Sequence, residues 1–224
     1  MNAVAGPAGI QKTTLGRKIL RGLGIFAVLF VTLFIAGVIW RMPIVAEQDR
    51  SVEVVKQIEA SRLTLADADG SRLPPTLDEI QANATVEGVD ANTNGIRDDV
   101  ELAIFEKYPG DKNFKLRAAE LQYAKALQMY LTSVFTKETL AAVSWEDSRA
   151  YFCLNDSLPL KPNTNASDEE WRTYDAKFDA EKSYIESMIL NTLARKQRHE
   201  SVFDNFMSSH SSPNNNFCDL ESAL

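Results

Sequence analysis

The hydropathy pattern divides the chain at Arg41. From Gly22 to Trp40 all 19 positions are uncharged, and Ile, Phe, Val and Leu dominate. At about 1.5 Å rise per residue a helix of that length reaches roughly 28 Å, close to the hydrocarbon thickness of a bilayer. The pattern therefore predicts a membrane span over residues 19–41, preceded by a short disordered tail over 1–18, rich in small residues, in which Gly6-Pro7 opposes helix. Beyond it the periodicity becomes that of amphipathic helices. Val52, Val55 and Ile58 recur at three-residue spacing and predict a short juxtamembrane helix. The turn-forming Ala66-Asp67-Ala68-Asp69-Gly70 and then Pro74-Pro75 mark residues 66–76 as linker, so residues 42–76 form the connection and 77–224 the folded domain.

Within that domain a weak helical turn is expected at Leu77 to Gln81. A helix through Val100, Ile104 and Tyr108 follows, stopped by Pro109-Gly110. Leu116, Ala119, Tyr123, Leu127, Tyr130 and Val134 recur every three or four residues and predict an amphipathic helix. A less regular helix spans about Lys137 to Asn155 with a break near Ser144, whose spacing to Asp147 suits a helix start. Ser167 and Glu170 stand at capping-box spacing before Trp171, Tyr174, Phe178, Ile185, Met188 and Ile189, an apolar stripe expected to continue as helix to about Phe206. Residues 208–216 read as Ser/Asn-rich coil. The fold class is mainly α: an N-terminal transmembrane helix followed by a helical extracytoplasmic domain.

Charge sharpens the topology. Lys12, Arg17, Lys18 and Arg21 precede the apolar run, Arg41 follows it, and all 31 acidic residues lie beyond it. The positive-inside rule places the N-terminus in the cytoplasm and the rest of the chain outside, as a single-pass protein of the inner (plasma) membrane with a periplasmic or extracellular C-terminal domain. A cleaved signal peptide is the competing expectation; its apolar region is usually about 7–15 residues and ends in a small-x-small site, which Ile44-Val45-Ala46 meets poorly. The acidic exported part argues against nucleic acid as a partner. Cys153 and Cys218 both fall in the exported part, where thiols can oxidise and persist as a disulfide, so a bridge between them is expected, with two unrelated buried thiols as the alternative.

The densest chemistry lies in residues 90–101, Asp-Ala-Asn-Thr-Asn-Gly-Ile-Arg-Asp-Asp-Val-Glu. A calcium ion (Ca2+) takes about six to eight oxygens, and helix-flanked loops supply them from positions 1, 3, 5, 7, 9 and 12 around a turn glycine at 6. Here these are Asp90, Asn92, Asn94, the carbonyl of Ile96, Asp98 and Glu101, with Gly95 at the turn. Position 8, usually aliphatic where two such loops pair, is Arg97. The stretch Gly88 to Glu101 resembles the solitary EF-hand-like loops of thrombospondin type 3 and dockerin modules, and a loop of uncharacterised bacterial envelope proteins. That resemblance implies extracytoplasmic calcium binding by one unpaired loop, and it covers the loop and its flanks only. Neutral Asn92 and Asn94 lower the ligand charge and predict a dissociation constant of about 10⁻⁴–10⁻³ M. Without metal, the same residues would form an Asx-rich turn and helix cap.

Catalytic signatures are missing from the sequence. There is no Gly-rich phosphate loop, no His-Glu-x-x-His and no Gly-x-Ser-x-Gly. His199 sits in Arg195-Lys196-Gln197-Arg198-His199-Glu200, which reads as a solvated helix face, and His210 in the tail. Asp67-Ala68-Asp69 matches the Asp-x-Asp of metal-dependent glycosyltransferases, but those need an α/β nucleotide-binding domain. The expectation is a membrane-anchored, non-enzymatic calcium-binding module that scaffolds or contacts an envelope protein whose identity the sequence does not give. The competing readings are a small envelope enzyme or enzyme inhibitor, and a cleaved soluble exported protein.

Overall fold

A computed structural model describes residues 14–206 and 217–220. Residues 1–13 of the predicted tail lie outside the described residues, as do the predicted coil over 208–216 and His210, whereas residues 14–18 of that tail are helical rather than disordered. Chain contacts divide the molecule into two units, Met1–Arg50 and Ser51–Leu224. The boundary thus falls inside the segment expected to be a connection, and residues from Ser51 onward belong to the folded domain.

The described residues of the first unit form the N-terminal part of helix α1 (Thr14–Ala60). All side chains from Ile19 to Arg50 are exposed, among them Phe26, Phe30, Phe34 and Trp40. This helix is long and apolar enough to cross a membrane. An apolar surface of that extent is stable against lipid tails and costly against water. Pro43 lies within α1 and removes one backbone donor there.

All regular secondary structure among the described residues of the second unit is helical. After α1 come α2 (Leu65–Asp69), α3 (Glu79–Ala82), α4 (Asp98–Lys107), a short 3-10 turn (Asp111–Asn113), α5 (Phe114–Thr132), α6 (Lys137–Ser157), α7 (Asp168–Ile189) and α8 (Leu193–Asn205). Val52, Val55 and Ile58 belong to the last turns of α1 rather than to a separate helix. Of these, Ile58 is buried and Val52 exposed. The supposed linker holds α2, because Asp67 accepts from the backbone N–H (2.8 Å) and hydroxyl (2.6 Å) of Thr64 and so caps a short helix.

Helix α5 is the axis of this unit and packs against α2, α4, α6, α7 and α8. Every residue from Arg117 to Leu131 is buried, so the expected amphipathic helix has no solvent face. Three of its polar positions, Arg117, Gln122 and Gln128, hold tertiary partners instead. Arg117 donates to the carbonyls of Ala68 (2.9 Å), Tyr108 (2.7 Å) and Gly110 (2.9 Å). Gln122 donates to the carbonyl of Phe217 (2.8 Å) and accepts from the N–H of Asp219 (2.9 Å), while Gln128 holds the carbonyl of Glu87 (2.8 Å).

Two helix boundaries differ from the sequence expectation. α6 runs unbroken through Ser144, because Ser144 and Asp147 face Tyr130, whose hydroxyl lies 3.3 and 3.2 Å from them. The stripe beginning at Trp171, with its Ser167–Glu170 capping box in place, ends at Ile189 instead of continuing to Phe206. Thr192 then caps a new helix by accepting from the N–H of Arg195.

Cys153 and Cys218 form the expected disulfide. Beside it Asp219 accepts from Arg149 (2.9 Å) and from the N–H of Leu63 (2.9 Å), and Glu146 accepts from Arg62 (2.7 Å) and Arg149 (2.6 Å). The bridge therefore delivers a carboxylate to two arginines in the body of the unit. Removing it would leave buried positive charge short of a partner.

Candidate metal centre

Chain closure comes first. The N–H of Asp98 donates to the carbonyl of Val89 (2.9 Å), and that of Ala91 to the carboxylate of Asp98 (2.9 Å), so residues 89–98 form a closed loop leading into α4. Inside it, Asp90 accepts from the N–H groups of Asn94 (3.1 Å) and Gly95 (2.9 Å). Asn92 accepts from Asn94 N–H (3.3 Å), and Asn94 from Ile96 N–H (2.8 Å). These side-chain-to-backbone turns are the local chemistry of Asp and Asn in tight loops. Gly95 turns the chain at φ 87°, a conformation that only glycine adopts without strain.

Five of the six expected ligand residues are thus brought together through side chains. Asn92 and Asn94 each donate an amide N–H to Glu101 (3.0 Å in both cases), and Asp98 and Glu101 lie in the first turn of α4. The sixth, Ile96, buries its side chain completely in the core. No described residue donates a hydrogen bond to its carbonyl.

The electrostatics of the loop are those of a site short of positive charge. Burial, with smaller additions from Asp67 and Asp98, outweighs the two amide donors and pushes Glu101 up to about 7. Asp98, wholly buried, is raised by burial against the opposing hydrogen bond from Ala91, with the charges of Asp90 and Asp99 adding to the rise. One of its oxygens, Oδ2, is buried without any hydrogen bond from the described residues, which is costly for an ionised carboxylate.

The donor set fits a hard cation in chemistry: oxygens only, from carboxylates, amides and a carbonyl. Carboxylates alone do not make it. Among the described residues no three His, Cys, Asp or Glu side chains gather as a metal cluster, so any ion here depends on Asn92, Asn94 and the Ile96 carbonyl as well. The two amides present nitrogen to Glu101; a half-turn of either about χ2 would exchange that nitrogen for oxygen.

Three residues that hold the loop carry no motif signal. Arg97, at the position used for pairing in two-loop units, is 1% exposed. It makes a two-pronged pair with Asp99 (2.6 and 2.8 Å) and donates to the carbonyls of Met188 (2.9 Å) and Ile189 (3.2 Å), which closes the C-terminal end of α7. Arg195, in the stretch expected to be a solvated face, is fully buried. It donates to the carbonyls of Ala82 (2.7 Å), Thr85 (3.1 Å) and Val86 (2.9 Å) and to Asn83 (2.7 Å), so it fixes the backbone leading into the loop. Gly88 lies between the two arginines at φ 71°, where an added Cβ would stand 2.2 Å from Arg97 Cδ. Nothing in periodicity distinguishes these arginines from surface arginines; their carbonyl partners are 91 to 113 positions away.

His199 is also not on a solvated face. It packs against the rings of Tyr130 and Phe203, and burial lowers its pKa. Asp67, from the Asp-x-Asp motif, is 3% exposed and lies 3.4 Å from Arg72. Arg72 in turn donates to the carbonyl of Asn92 (2.8 Å) and accepts at its own carbonyl from the Asn92 amide (2.9 Å), which ties this turn to the 89–98 loop. Comparison of the chain with protein-family models, curated proteins and solved structures returns no match. Function must therefore be argued from the residues.

Proposed function

We propose that this chain is a membrane-anchored, extracytoplasmic calcium-binding protein, whose helical domain serves as an interaction or scaffolding module of the bacterial envelope. The observation that carries the calcium reading is the closed 89–98 loop running into α4. It converges Asp90, Asn92, Asn94, Asp98 and Glu101 and leaves a buried Asp98 oxygen without a hydrogen bond. The resemblance of these residues to solitary thrombospondin type 3 and dockerin loops supports the same reading, as does Arg97, which is committed to α7 rather than to a partner loop. The exposed apolar helix with basic residues before it supports the anchor and its orientation.

Calcium in this reading braces a local structure. At ~1 mM calcium a site with a dissociation constant near 10⁻⁴ M stabilises the fold by about 1.4 kcal/mol, a rise in melting temperature of roughly 3–6 °C for a domain of this size. The test is thermal denaturation of the full chain in detergent, with and without calcium, for wild type and for Asp90→Ala and Glu101→Ala. The wild type should gain stability and the variants should not. Equal responses in all three would remove the calcium claim.

A further inference from the structure

Helix α5 places a lysine directly beneath the loop. Lys125 is 5% exposed, and its methylene stem lies against the Gly95 backbone, so close that a Cβ built there would stand 3.1 Å from Lys125 Cε. An ammonium brings three donors, yet Lys125 makes no hydrogen bond and no ion pair within 4.0 Å among the described residues. A charge drawn largely out of water without a close partner is costly, and the surrounding field decides how costly. Here burial acts against the ammonium, while Asp219, Asp67 and Asp90 act in its favour and Arg62 against it. Two of these carboxylates belong to the loop region: Asp90 is its first residue, and Asp67 reaches it through Arg72.

We propose that Lys125 is a built-in monovalent competitor of calcium, an internal cation that partly neutralises the acidic loop and thereby sets its affinity low. The proposal rests on the calcium reading and adds what determines the strength of the site. Two observations carry it, the nearly buried lysine whose stem lies against the turn glycine of the loop and the buried Asp98 oxygen that receives no hydrogen bond from the described residues. A divalent ion arriving among Asp90, Asp98 and Glu101 meets the repulsion of the ammonium, and the attraction between Lys125 and Asp90 weakens as Asp90 is drawn to the metal. The loop then takes calcium only where the ion is abundant. Gly95 has a second role in this arrangement beyond its turn, because any side chain there would push the lysine stem away.

Calorimetric titration of calcium chloride into the full chain in detergent tests the proposal, on wild type, Lys125→Met and Lys125→Arg. Lys125→Met keeps the stem and removes the charge, and should bind at least tenfold more tightly, equivalent to about 1.4 kcal/mol; Lys125→Arg should not tighten. A second readout uses wild-type protein alone: the Lys125 ammonium signal in ¹⁵N NMR should move with calcium at the calorimetric midpoint. Unchanged or weaker binding by folded Lys125→Met overturns the proposal and leaves the calcium reading standing. If Lys125→Met does not fold, a static ammonium signal during wild-type binding overturns it equally. No binding by any of the three proteins removes the calcium reading itself.

Discussion

At the scale of single residues, this domain is built around buried charge. Glu120 on α5 is fully buried, and neither of its carboxylate oxygens receives a hydrogen bond from the described residues. Its neighbour Glu181 already accepts from Lys107 and, at 2.6 Å, from Tyr108. Burial first, and then Glu181, push Glu120 up to about 9 from an ordinary value of 4.5. The folded state thus holds a proton that the unfolded state has released across that whole range. Glu120 contributes stability that is fully present below pH 4.5 and is lost as pH rises through about 9. Glu120→Gln, neutral at every pH, should match wild type near pH 4.5 in chemical denaturation. It should then become the more stable protein by about 1 kcal/mol per pH unit above that; a constant difference from pH 5 to 9 would count against a neutral Glu120.

At the scale of elements, the disulfide and the two buried arginines do comparable work by different means. Arg97 and Arg195 attach the loop and its approach to α7 and α8 through carbonyl groups, satisfying backbone acceptors that would otherwise be buried without donors. The Cys153–Cys218 bridge closes a separation of 65 residues and brings Asp219 to Arg149. On the chain-entropy model a loop of that length contributes about 4 kcal/mol. The paired substitution Cys153→Ser with Cys218→Ser should lower the melting temperature by roughly 10 °C, and reductant should reproduce the shift in wild type but not in the variant. A shift smaller than a few degrees would mean that the Asp219 contacts form without the covalent tie.

At the scale of the whole molecule, the N-terminal helix is long and apolar enough to cross a membrane. Carbonate washing of membranes from expressing cells should leave the full chain in the pellet, because a spanning helix is held by hydrocarbon rather than by charge. Release into the supernatant would point to a cleaved or peripheral form.

Much of the architecture was legible in the sequence because it rests on local rules. Nineteen uncharged residues make a membrane-length helix in any context, Ser167 and Glu170 cap a helix by contacts three residues apart, and Asp90 to Glu101 turn on hydrogen bonds spanning no more than nine positions. Position 8 of the loop could be seen to be unsuited to pairing, but what Arg97 does there could not. Tertiary structure alone decided that Arg195 lies in the core, that α5 has no exposed face, that α7 stops at Ile189 and that Lys125 lies under Gly95. The physical reason is the same in each case: a charged side chain reads as solvated until distant backbone or side-chain groups are folded around it. Those partners are set by packing rather than by spacing along the chain.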